Sequence, residues 1–75
     1  MTRDDLHKAA RLHRAQGHEH TCAAYRMYAA EYEAYARLAL AEGDAVETGA
    51  SAGHARHYHD LADRYAELAE NARKR

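Results

Sequence analysis

Apolar positions along this chain recur with a helical period. Tyr25, Tyr28, Tyr32 and Tyr35 fall at steps of three, four and three residues, the spacing of a helix seam that packs on a partner. A second set, Ala23, Met27, Ala30, Ala34, Leu38 and Ala41, fills another stripe of the same helix. Two apolar stripes on one helix require neighbours on two sides. Towards the C-terminus, Ala55, Tyr58, Leu61, Ala62, Tyr65, Leu68, Ala69 and Ala72 make one heptad stripe, with Asp60 and Arg64 as a supporting pair four residues apart. Near the N-terminus, Leu6, Ala9, Ala10 and His13 share a face.

Capping and breaking residues divide this pattern into three predicted helices. Thr2 reads as an N-cap, with Asp4 and Asp5 favourable to the positive end of the helix dipole. Gly17 stands where a left-handed C-cap would end a first helix over 3–16. A second helix is expected over 19–42, with Thr21 near its start. The segment 43–50, rich in glycine and containing Asp44, reads as the loop, and a third helix should span 51–73, its C-terminal end complemented by Arg73, Lys74 and Arg75.

The expected architecture is an all-α single domain over 1–75: a long antiparallel hairpin plus a shorter N-terminal helix. In such a hairpin Tyr35 comes near Tyr58 and Tyr28 near Tyr65. Tyr25, Tyr28, Tyr32, Tyr35, Tyr58, Leu61, Tyr65 and Leu68 are then the hairpin core. A first helix of about four turns covers only part of the second. The stripe Ala23, Met27, Ala30, Ala34, Leu38 and Ala41 is left for a dimer or partner interface, because small residues allow close helix approach in a larger bundle.

Composition strengthens the case for association. Of the 35 apolar residues, 19 are alanine and only nine are Leu, Val or Met, with no Phe, Trp or Ile. A single domain this short buries only about 60% of its unfolded surface, and alanine contributes little of the roughly 25 cal/mol per Å² that apolar burial supplies. One cysteine, Cys22, excludes an internal disulfide. Without an apolar leader segment the chain is expected in the cytoplasm, with no membrane association. Nine Arg against two Lys, with abundant Ala, fit a high-GC bacterial or phage genome.

Net charge is −1 overall but uneven, from +2 over 1–16 and −1 over 17–41 to −5 over 42–70 and +3 over 71–75. Arg3, Lys8, Arg11 and Arg14 make a basic first helix, yet a domain without strong positive charge is not expected to bind nucleic acid beyond a salt-sensitive background. A small nucleic-acid-binding regulator led by this helix is the weakest of three functional readings.

Seven histidines are the one excess that suggests chemistry. His13, His18, His20 and Cys22 cluster around the expected junction and could converge on zinc or copper; this histidine-based metal protein is the second reading. His54, His57 and His59 begin the third helix, too far away to join one intramolecular site. His13 and His54 lie on apolar seams, where a neutral histidine bonded to a carbonyl or a Tyr hydroxyl is the commoner arrangement. The tyrosines could stack nucleobases or form a recognition face, but the core reading is favoured because they are the only large side chains available to fill a hairpin. The chain has no paired catalytic carboxylates, no Gly-rich phosphate loop and a single serine, Ser51, so no enzyme is expected. The leading reading is a small homodimeric protein-binding module, an adaptor or inhibitor that occupies a partner's surface.

Overall fold

The computed structural model describes residues 1–74 and is all-helical over them. Two helices, not three, account for the fold. Helix α1 runs from Arg3 to Ala41 and α2 from Ala45 to Lys74, packed side by side as an antiparallel hairpin. The N-terminal start matches the sequence: the Asp5 amide donates to Thr2 Oγ1 at 3.2 Å, and the Thr2 amide donates to Asp5 Oδ2 at 3.1 Å. This is a reciprocal capping box that satisfies two orphan amides.

The expected break at Gly17 does not occur, so the separate helices over 3–16 and 19–42 are one. The reason is register. Ala15 and Cys22, both buried, bracket Gly17 at a spacing of seven, and the seam continues through Ala29. Glycine in a helix interior costs about 1 kcal/mol relative to alanine. Ending the helix there would pull Ala15 away from α2 and forfeit a seam that runs its whole length. The Thr21 hydroxyl, expected near a helix start, instead donates back to the Gly17 carbonyl at 3.1 Å within the continuous helix.

The loop expected over 43–50 shrinks to a tight turn. Glu42 caps α1, the Gly43 amide donates to the Leu40 carbonyl at 3.1 Å, and the Asp44 amide reaches the Ala39 carbonyl at 2.9 Å. Those two bonds form a Schellman motif, which needs a left-handed residue after the cap; Gly43 supplies it with φ of 75°. Asp44 then starts α2 at once, its Oδ1 accepting from the Glu47 amide at 3.0 Å. The pairing of Asp44 and Glu47 therefore caps the full 30-residue α2, whose first turns take up the segment read as loop.

The core also differs from expectation. The buried residues are Ala15, Cys22, Ala29, Ala39, Ser51, Ala55, Ala62 and Ala69, all small. Ala15, Cys22 and Ala29 repeat at seven along α1, as Ala55, Ala62 and Ala69 do along α2. With no large side chain between them, the helix axes can come close. None of the eight residues predicted as core is buried: Tyr25, Tyr32, Tyr58, Leu61 and Tyr65 are partly covered, and Tyr28, Tyr35 and Leu68 are exposed. The result is a thin rod with extents of 62 × 14 × 10 Å. No helix among the described residues is long and apolar enough to cross a membrane.

Candidate functional site

A hairpin one layer thick has two broad faces, and they differ in chemistry. One carries the aromatic rings. His18, Tyr65, Tyr25, Tyr58, Tyr32 and His54 form a zipper that takes rings alternately from α1 and α2, with successive centroids 5.8, 5.7, 5.8, 5.6 and 4.9 Å apart. Tyr25 and Tyr32 each stack on Tyr58, at interplanar angles of 23° and 17°. These separations suit offset or tilted aromatic pairs, each worth about 0.5–1.5 kcal/mol beyond its area. The partners are shifted by three residues from expectation: Tyr32 rather than Tyr35 meets Tyr58, and Tyr25 rather than Tyr28 meets Tyr65. The alanine seam causes this shift. His18, Tyr25 and Tyr32 lie immediately beside it, whereas Tyr28 and Tyr35 stand one position further out.

Tyr28 touches Tyr58 at 5.4 Å and Tyr35 meets Tyr32 edge-on at 5.8 Å, yet each remains 49% exposed. Leu68 continues this face towards the open end of the hairpin, where Arg11, Arg14 and Ala72 share a groove with it. His54, expected as a buried seam residue, is exposed and rests on Tyr32; His13 is exposed as well.

The opposite face is polar and holds the ion pairs between the helices. Glu33 on α1 contacts His59 Nε2 on α2, and Glu19 contacts Arg73. Cys22 lies beneath the second pair, in a groove shared with Glu19, Arg26, Ala66 and Glu70. The hydrogen bond from Arg73 holds the Glu19 carboxyl below the ordinary glutamate value and raises the guanidinium in turn. A carboxylate depressed in the folded state contributes stability above its unfolded pKa, and that stability is lost as pH falls through the folded value. Glu19→Gln should therefore show a shallower loss of melting temperature on acidification below about pH 4.5 than the wild-type chain. Parallel acid limbs for the two proteins would mean that the pair contributes nothing, the commoner fate of an exposed ion pair.

The four residues expected to converge on a metal are spread around one continuous helix. His18 and Cys22 are a turn apart near α2, but His20 lies roughly 200° from His18 at 3.6 residues per turn, on the outer side with His13. The junction that was to gather them does not exist. Among the described residues no group of three or more His, Cys, Asp or Glu side chains is placed to hold a metal ion. His57 and His59 are exposed, on different sides of α2.

The stripe Ala23, Met27, Ala30, Ala34, Leu38 and Ala41 runs along the back of α1 and is exposed throughout, with Ala23 at its edge beside the groove that Ala66 and Ala69 of α2 line; Met27 is 73% and Leu38 59% accessible. Sequence reasoning found this stripe but missed the alanine seam that builds the fold. The signal was available in the exact recurrence of small residues every seven positions on both sides of Gly17. No known protein family, curated protein or solved structure matches the chain.

Proposed function

We propose that this chain is a homo-oligomeric protein-binding module, an adaptor or inhibitor that acts by occupying the surface of another protein. The observation that carries the reading is uncovered area. A folded monomer of 8.5 kDa is expected to expose about 4,700 Å², whereas this hairpin exposes 5730 Å². The difference of about 1,000 Å² exceeds the roughly 800 Å² that each partner buries in a standard protein complex. Its radius of gyration, 17.6 Å, likewise exceeds the roughly 11 Å of a globular domain of this length.

Large apolar side chains are exposed on the tyrosine face and on the Met27 and Leu38 stripe at the back of α1, with Leu6, Leu12, Leu40 and Val46 exposed besides. Such surfaces on a small protein mark interaction sites. One can serve self-association while the other takes a different protein, which suits an adaptor. Sedimentation equilibrium at micromolar concentration should return a mass above 8.5 kDa. A monomeric mass together with cooperative unfolding would remove the oligomeric half of the reading, because the lone hairpin would then suffice for stability.

A further inference from the structure

The heptad position at the outer edge of the tyrosine face is occupied by His7, Arg14, Thr21, Tyr28 and Tyr35 along α1 and by Glu42 at its C-cap. Within it the cation Arg14 and the anion Glu42 stand equally far, 14 residues, on either side of Tyr28. Turning it end for end about Tyr28 places Arg14 opposite Glu42, Thr21 opposite Tyr35 and Tyr28 opposite itself. A surface that is its own complement under a half-turn is what an isologous dimer requires.

The two ends of the face carry opposite charge. Towards the open end Arg11 and Arg14 adjoin Leu68 and Ala72. At the closed end Glu42 caps α1, and Glu47, in the first turn of α2, accepts from the buried Ser51 hydroxyl at 3.0 Å. Tyr28 and Tyr58, in contact across the hairpin, mark the middle, and Arg14 and Glu42 each lie 14 residues from Tyr28, roughly 20 Å along the helix. Between them the exposed or partly exposed side chains include Tyr25, Tyr28, Tyr32, Tyr35, Tyr58 and Tyr65, with His18, Thr21, His54, Leu61 and Leu68.

We propose that the tyrosine face is the self-association surface, on which a second copy of this chain docks antiparallel about an axis near Tyr28, with Arg14 of each copy facing Glu42 of the other. This rests on the homo-oligomeric reading and specifies its surface. Six tyrosines form the centre of the contact, and the charges sit at its rim, where they set orientation more than affinity. The dimer is then a four-helix bundle whose two hairpins each contribute an alanine layer on the outside of a shared aromatic layer. The stripe with Met27 and Leu38 stays on the outer surface of the bundle, free for a different protein.

The experiment measures dimer dissociation by sedimentation equilibrium, with helix content checked by circular dichroism, for wild type, Tyr28→Glu, Leu38→Glu, Arg14→Glu and the double variant Arg14→Glu with Glu42→Arg. Tyr28→Glu should be monomeric at concentrations where wild type and Leu38→Glu are dimeric. Arg14→Glu should weaken the dimer by about tenfold, since two rim pairs are lost per dimer, and the double variant should regain most of that loss. A dimer that persists in Tyr28→Glu but dissociates in Leu38→Glu overturns the choice of face while self-association stands. If Tyr28→Glu loses its helix content, the charge-swap pair decides on its own: single and double variants equally weakened, or neither weakened, overturn the antiparallel register. A monomeric wild type, whatever else its tyrosines capture, overturns this proposal together with the oligomeric reading beneath it.

Discussion

Ala29→Leu should lower the melting temperature by roughly 10 °C. Ala29 is fully buried, at 0% exposure, in the middle of α1 and within the layer that α2 packs against. A leucine there has no void to enter, because its neighbours across the seam are themselves alanines in close contact. Overpacking of a tight core costs about 1–3 kcal/mol, and in a domain this small each kcal/mol shifts the melting point by roughly 4–8 °C. The control is Ala24→Leu, at an exposed position of the same helix, which should stay within about 0.5 kcal/mol of wild type. Thermal unfolding followed by circular dichroism at one fixed protein concentration checks both, since an oligomer's midpoint depends on concentration. Equal melting points for Ala29→Leu and wild type would show that the helices are not held together by an alanine seam.

The second large effect runs in the other direction. Gly17, Gly49 and Gly53 lie inside helices, and a Cβ added at any of them meets nothing within 4 Å. Replacing all three with alanine should stabilise the hairpin by roughly 2–3 kcal/mol, at close to 1 kcal/mol each, and raise its melting point by about 10 °C. Gly43→Ala should do the opposite. Its surroundings are equally open, but its φ of 75° places an L side chain in the left-handed region, at a cost of about 1–2 kcal/mol. The same chemical change thus stabilises at three sites and destabilises at the fourth, and calorimetry on the triple variant beside Gly43→Ala tests both signs. A triple variant no more stable than wild type would mean that those glycines serve a purpose beyond the helix.

Those glycines also show how much of the fold was legible. All-helical structure, the Thr2 cap and the hairpin between the tyrosine-rich and C-terminal segments follow from periodicity and capping chemistry, and the structure has them. The helix count does not, because local signals were given more weight than long-range register. Gly17 carries the local mark of a helix end, but Ala15 and Cys22 on either side belong to one seam whose energy comes from α2, which begins 23 residues along the chain from Cys22. Tertiary packing overrides propensity in such cases. The candidate core was misplaced for a related reason. Large aromatic residues draw attention as core formers, yet between two helices alone the innermost positions go to the smallest side chains, and the tyrosines are displaced to the edge. His13 and His54 followed the tyrosines in this error. The helix wheel separated the back stripe of α1 from the tyrosines, but which of the two faces α2 covers is decided by the seam.

The alanine seam has a further consequence for how such a chain can change length over evolutionary time. Rungs that are nearly alike every seven residues make the seam almost unchanged by a slip of one heptad, so the seam itself fixes no unique alignment of α1 with α2. That alignment is set by the three-residue link through Glu42, Gly43 and Asp44 and by the Glu19 to Arg73 and Glu33 to His59 contacts. Seven residues inserted into both helices at matched heights would lengthen the rod by about 10 Å and leave every face where it was. Seven inserted into one helix alone would set the turn against the cross-helix pairs. Descendants of this hairpin can therefore grow or shrink readily in paired steps of fourteen residues, with the turn kept as the fixed point from which both arms are measured.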